Sequence, residues 1–198
     1  MEIRPGFDAF AATHAAGENQ VLWTQLPADL DTPVSLMLKL TGAAENSFLL
    51  ESVTGGEIKG RYSAIGMKPD VIWRCLGDKA ALNRAARYDP DAFADEALPP
   101  LDSLRAFQKE SRIDLPPELP PIAAGLFGFF GYDMVRLAEN LPASKPDPLG
   151  LPDSLMMRPT VVAVMDAVKD VVTLIAPVWT RDGLPARPPY SPGADPLS

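Results

Sequence analysis

The sequence predicts an α+β fold, mostly antiparallel β-sheet with helices inserted between strands. Three observations carry that expectation. Short β-branched and aromatic runs bounded by Gly, Pro, Asn and Asp outnumber the segments with a helical period. Successive runs are joined by turns too short for a crossover helix, which makes neighbours antiparallel. No segment recurs at a period of about 20 to 50 residues, so repeat architectures are excluded. The 198 residues are enough for one substantial core.

The elements follow in order. Phe7, Phe10, Ala11 and His14 fall at i, i+3, i+4 and i+7, one face of a short helix that Gly17 closes in the left-handed conformation. Residues 20–26 read as a strand stopped by Pro27. Asp31-Thr32-Pro33 sets a capping oxygen before a proline at the first helical position, and the helix runs to Gly42. Residues 46–53 alternate as a strand ending at Thr54-Gly55-Gly56. Residues 61–67 and 71–76 are two further strands separated by Lys68-Pro69-Asp70, and Gly77-Asp78 turns into another at 79–83. Leu101, Leu104, Arg105 and Gln108 mark a helix after Pro99-Pro100, and residues 116–121 form a stiff, proline-bounded connector.

Residues 123–130 are apolar with Gly125, Gly128 and Gly131 at every third position, which predicts a buried strand with close backbone packing. A short helix over 132–139 follows, then a hairpin of strands 160–165 and 171–176. From residue 178 to 198 there is no apolar periodicity, and this segment is expected to be a proline-rich tail or truncated linker.

Composition excludes several function classes. The chain carries 18 Lys+Arg against 26 Asp+Glu, a net charge of -8, with no basic stripe to track nucleic acid. A single cysteine, Cys75, forms no internal disulfide, and with His14, the only histidine, it is too little for a zinc site. The N-terminus has no apolar signal core, and no apolar stretch approaches the ~20 residues of a membrane span, so a cytoplasmic location is expected. Cys75 sits mid-strand as an inert packed thiol, and no nucleophile elbow, Walker loop or zinc-protease helix is present. The glycines at 125–131 lack the spacing that places a phosphate on a helix N-terminus. Asp89, Asp91, Asp95 and Glu96 read as a solvated loop. Glu51 differs, because it interrupts the apolar run Phe48-Leu49-Leu50-Glu51-Ser52-Val53. Burying it unpaired is costly, so it faces water, pairs with Lys59 or Arg61 across the turn, or holds a cationic ligand.

Three segments in order resemble one family: Leu49-Leu50-Glu51-Ser52, Gly60-Arg61-Tyr62-Ser63-Ala64-Ile65-Gly66 and Phe130-Gly131-Tyr132-Asp133-Met134-Val135-Arg136. They are similar to the N-terminal domain of component I of anthranilate synthase, among the chorismate-utilising enzymes. The resemblance covers about residues 21–177. It implies a domain over 1–177 of that type, with a C-terminal chorismate-binding domain absent from this chain. It further implies a full-length lyase that makes anthranilate and pyruvate from chorismate and ammonia in tryptophan biosynthesis. Mg²⁺ and the catalytic residues are placed by the family in that absent domain, so no catalytic residue, metal or cofactor is expected here and the chain alone is expected to be inactive. The implied partners are the chorismate-binding domain, a glutamine amidotransferase component II, and L-tryptophan, bound weakly as a feedback ligand. For that ligand the resemblance assigns Glu51 and Ser52 to the ammonium. Lys59 or Arg61 is the candidate for the carboxylate. Component I of aminodeoxychorismate synthase, or a free-standing regulatory module, are the alternative readings.

Overall fold

The computed structural model describes residues 2–42, 44–53, 59–142 and 147–179. Among these residues three α-helices and eight strands follow in the order α1 (Phe7–Ala15), β1 (Gln20–Pro27), α2 (Pro33–Thr41), β2 (Phe48–Val53), β3 (Lys59–Leu76), β4 (Lys79–Asn83), β5 (Phe93–Asp95), α3 (Pro100–Glu110), β6 (Phe127–Phe130), β7 (Ser154–Asp166) and β8 (Val171–Val178). Every strand pairing is antiparallel, in one sheet, so the α+β expectation holds. The expected turn at residues 54–56 and the tail from 180 onward lie outside the described residues.

Local chemistry explains the helices. Thr32 caps α2, accepting from the Ser35 N–H at 3.1 Å, while the Ser35 hydroxyl accepts from the Thr32 N–H at 3.0 Å. Pro33 opens the helix, and Gly42 closes it with φ +55°. Gly17, at φ +73°, ends α1 in the same way. Phe10, Leu36 and Phe107 anchor the three helices to the sheet, all buried, and each contributes roughly 1.5–3 kcal/mol of transfer free energy.

The sheet is built on one long ladder between β3 and β7, from Tyr62↔Asp166 to Cys75↔Ser154. Each outer edge of this pair is shared by two strands. β2 pairs with β3 up to Gly66 and β4 pairs from Ile72 onward. Likewise β8 takes β7 residues 162–166, and β6 takes 154–157. At the join Pro69 faces Pro159. Neither ring nitrogen can donate to the ladder, so the register slips between Pro69 and Val71. Lys68 takes φ +52°, and the Thr160 hydroxyl donates to its carbonyl at 2.7 Å. The two strands expected at 61–67 and 71–76 are therefore one bent strand: the breaker Lys68-Pro69-Asp70 makes a bulge, because a facing proline takes away the bond that Pro69 could not have made.

A buried ion pair sits beside the bulge. Arg158 donates through Nε and Nη2 to the two carboxylate oxygens of Asp70 at 2.9 and 2.8 Å, and through Nη1 to the Ser111 hydroxyl at 3.3 Å. The Arg158 and Asp70 side chains are only 5% and 14% exposed. The guanidinium also lies 4.7 Å from the Trp179 ring, so it ties β7, the bulge, the end of α3 and the exit of β8 together.

β7 distributes the core to both faces. Ala163 and Met165 join Ile65, Met67 and Leu49 under α2. Val162 and Val164 face the other way, against Trp23, Ile175 and the connector residues Leu119 and Ala123. Farther along that face Met156 and Trp73 pack under Phe107 of α3. The Trp73 indole N–H donates to Ser103 at 3.0 Å, and the Ser103 hydroxyl donates to Glu96 at 3.1 Å. The acidic segment is thus less free than expected: Phe93–Asp95 forms edge strand β5, and Glu96 closes this network.

Two further expectations are corrected. The run 123–130 is not a buried strand: only Phe127–Phe130 is extended, as edge strand β6, with Phe129 and Phe130 exposed. It pairs with β7 alone, at residues 154–157, while β8 takes residues 162–166 of the same edge. The helix expected at 132–139 is a 3₁₀ turn over Tyr132–Leu137. Close packing does explain two of the three glycines. A Cβ at Gly128 would fall onto the Leu155 carbonyl, and one at Gly131 would lie 2.7 Å from the Asp153 oxygen. Gly125 instead has open space and φ +152°, a conformation L residues rarely take.

Arg158→Ala strands Asp70 as a buried unpaired charge and should lower the unfolding free energy by about 3–5 kcal/mol in a urea titration. A loss below 1 kcal/mol, on the order of a surface pair, would show that the pair does not hold the bend. Gly128→Val meets immovable backbone and should cost ~1–3 kcal/mol or more by the same measurement, against no loss if that edge had room.

Candidate functional site

Glu51 and Ser52 lie on β2, and Lys59 and Arg61 at the start of β3, so the four candidates belong to one hairpin. Across it Glu51 stands opposite Ser63, and after a bulge Val53 pairs with Lys59. Ser52 and Lys59 are placed by their backbones alone. β2 pairs with β3 only, so it is an edge strand. At its other end Gly66 has no side chain where the Phe48 ring lies across it, and Phe48 stacks on Phe127 of β6 at 4.7 Å. The hairpin is thereby braced against the half-sheet that contains β6.

The Glu51 side chain is exposed. Among the described residues it forms no ion pair, and Arg61 is committed elsewhere. Arg61 donates through Nε to both oxygens of Asp166, each at 3.1 Å, and through Nη2 to Oδ2 at 2.8 Å. Its guanidinium also lies 4.9 Å from the Tyr62 ring. The Val168 and Lys169 N–H groups donate to Asp166 Oδ1 at 3.0 and 3.3 Å, so the same carboxylate caps the turn into β8. The Arg61 bonds hold the Asp166 carboxyl below the ordinary carboxylate range, with help from those N–H groups and against the burial that would raise it. Hence the Glu51–Arg61 pair considered from the sequence does not form. Arg61 has one nitrogen, Nη1, left over from Asp166, which limits what it can offer a ligand carboxylate.

Cys75 is fully buried, and burial, with Asp153 and Asp78 nearby, pushes its thiol up to about 11, far from the thiolate a nucleophile needs. His14 lies on α1 with its ring 5.8 Å from Phe10. Among the described residues no three His, Cys, Asp or Glu side chains converge as metal ligands. No helix among them is long and apolar enough to cross a membrane.

A second feature had no sequence signal beyond a helix face. Leu101, Leu104, Arg105 and Gln108 of α3 line a cleft of about 560 Å³, with Leu104 also packed against the Phe107 cluster. The rest of its lining includes Ile113, Leu126, Phe130 and Met156, together with Arg112 and Asp114. Such a volume lies in the range of ligand or side-chain clefts, and its walls are apolar with a few charged groups.

A protein of Cereibacter sphaeroides named anthranilate synthase component 1 is 58% identical over 189 residues, which are 96% of this chain and 38% of that protein. One of the same name from Thermus thermophilus is 40% identical over 152 residues, 76% of this chain and 30% of that protein. The crystal structure of anthranilate synthase component I from Streptococcus pneumoniae TIGR4 aligns with a TM-score of 0.47 at 20% identity, over 74% of this chain and 30% of that one. No family model matches the chain. The chain spans about a third of the length of the curated relatives it matches.

The Asp166 site sets a pH dependence with a definite sign. Because its folded pKa lies below the unfolded value of about 3.9, the stabilisation is complete above that pH and is lost as pH falls through the folded value. Unfolding free energy measured across the acid range should therefore drop below about pH 4. Asp166→Asn should start lower at neutral pH and drop less. Parallel curves for the two proteins would remove Asp166 from the acid transition.

Proposed function

The chain is homologous to component 1 of anthranilate synthase along about a third of that protein's length, and on this premise we propose that it is the N-terminal, regulatory part of such an enzyme. In this reading the full-length protein converts chorismate and glutamine-derived ammonia to anthranilate and pyruvate, with a component II amidotransferase supplying the ammonia. Chemistry belongs to the part of the relatives that has no counterpart here, and this chain senses L-tryptophan.

The observation that supports the sensing role most is the exposed Glu51 carboxylate on an apolar edge strand, free of any ion pair among the described residues. An ammonium placed there would gain a charge-assisted bond to Glu51, and the same reading takes the Ser52 hydroxyl as a second acceptor. Arg61 is spent on Asp166, which favours Lys59 for the ligand carboxylate. Phe48, Leu49 and Leu50 give the hairpin an apolar character suited to an indole. Because Glu51 is open to water, the contact is only partly desolvated and affinity in this chain alone is weak. The rest of the enzyme would close over the ligand, and that closure couples binding to turnover as a difference in tryptophan affinity between two states.

In an enzyme of the relatives' full length that carries this chain, Glu51→Ala should raise the tryptophan concentration for half-inhibition by roughly 10–100-fold, the range for losing a charged hydrogen bond. Turnover without tryptophan should change little. Inhibition titrations at fixed chorismate decide it. Unchanged sensitivity would return Glu51 to a surface carboxylate, and a matching loss of basal turnover would make it a residue of the fold or the active centre. The chain by itself should give no anthranilate fluorescence with chorismate, ammonia and Mg²⁺, and turnover above a mock preparation would overturn that division of labour.

A further inference from the structure

We propose that the cleft beside α3 binds a small apolar monocarboxylate, an acid with an aromatic or branched hydrocarbon body, and that Ser111 and Arg112 hold its carboxylate. Glu51 stands opposite Ser63 and the cleft's Met156 opposite Trp73, toward opposite ends of β3, so this site is separate from the β2–β3 hairpin and does not depend on tryptophan sensing.

Two polar groups in the lining have hydrogen-bonding capacity left over. Ser111, which caps the C-terminus of α3, is only 6% exposed. Its hydroxyl accepts from Arg158 Nη1 at 3.3 Å and gives its own proton to no acceptor among the described residues. A buried hydroxyl with an idle proton is an unfilled donor, and a ligand oxygen in the cleft fills it. Arg112, next in sequence, is exposed and forms no ion pair among the described residues. Arg105, the other guanidinium of the lining, is already bonded to Asp102 at 2.7 Å. The backbone under both donors is fixed: the Ser111 N–H donates to the Phe107 carbonyl at 3.1 Å, the Arg112 N–H to the Lys109 carbonyl at 3.3 Å, and the Asn19 side chain to the Arg112 carbonyl at 3.0 Å. That lowers the ordering cost of binding.

The lining chooses the class of ligand. Leu101, Leu104, Leu126 and Met156 give the cleft apolar walls, and at Gly125 a Cβ would meet nothing within 4 Å, so the space beside the backbone there is open. A hydrocarbon body packs against such walls while its carboxylate accepts from Ser111 and Arg112. Asp114 is the one carboxylate among the lining residues. It repels a second negative charge, which favours a single carboxylate over a phosphate or a dicarboxylate. The cleft at the β3–β4 turn has the opposite character. Asp78, Asp133, Asp147 and Asp153 line it, and its one cation, Arg136, is bonded to Asp133, so an acid is repelled there.

Titration of this chain with 3-phenylpropionate, followed by two-dimensional amide NMR, should give saturable binding with a Kd of about 0.1–1 mM, the range for a ligand of this size. The resonances that shift should be those of residues 111–114 and 124–126, while those of the β2–β3 hairpin stay in place. The neutral amide, 3-phenylpropionamide, and acetate, which lacks the apolar body, should each bind roughly 10-fold more weakly or worse, the scale for losing a charged hydrogen bond or the burial of a ring. Inorganic phosphate should not displace the acid. Arg112→Gln should weaken binding of the acid by roughly 10-fold or more. Lys109→Gln makes the same change of charge on an exposed residue of α3 outside the lining, and it should bind as the wild type. Both side chains are exposed, so neither variant should shift the thermal melt appreciably, which keeps folding separate. Equal binding of acid and amide, full binding by Arg112→Gln, an equal loss in the two variants, shifts confined to the hairpin, or no saturable binding would each overturn the proposal. Phosphate that displaces the acid would overturn the assigned ligand class.

Discussion

The Arg158–Asp70 pair is the contact on which the rest of the molecule depends. It lies where the long β3–β7 ladder is interrupted by two facing prolines, the place where backbone hydrogen bonding is weakest. A charge this deeply buried is tolerated only with its partners in place: a bidentate carboxylate, a serine hydroxyl and two aromatic faces. These partners come from β3, the end of α3 and the residue after β8, so satisfying one guanidinium fixes the relative position of all three. The bend divides the sheet into two halves, and the ion pair sets their angle.

That division produces the surfaces. Because β3 and β7 are long and their outer edges are each shared by two shorter strands, the fold exposes short edges that a simple meander would have paired. β2 carries the Glu51 carboxylate on one of them, and β6 carries two phenylalanines on another. The Phe48–Phe127 stack connects these edges, so the two strands are physically joined.

Charge is arranged to keep functions apart. Arg61 and Asp166 satisfy each other at the start of the ladder, and the carboxylate also caps the turn into β8. Glu51, on the same hairpin, is left to solvent. A structural ion pair and an open carboxylate within one hairpin serve different ends: the first holds the strands in register, and the second is available to a cation at little desolvation cost.

The sequence by itself determined what is local. The Thr32-Pro33 start and Gly42 stop of α2, the Gly17 stop of α1, the turn at Gly77-Asp78 and the hairpin of β7 with β8 all follow from backbone preferences of a few consecutive residues, and the α+β class follows from their order. Glu51 also stood out locally, as a charge in an apolar run. Only the tertiary structure decided the rest. Lys68-Pro69-Asp70 reads as a strand break until Pro159 and Arg158, 88 residues beyond Asp70, turn it into a bulge with a buried ion pair. The apolar run ending in Phe130 reads as buried until the sheet order leaves β6 paired with β7 alone, at the rim. Arg61 reads as a partner for Glu51 until the ladder delivers Asp166, from 105 residues away, to its guanidinium. In each case the competing partners are equally plausible by charge or apolarity, and what selects among them is strand register, a property of the whole ladder that no window of sequence contains.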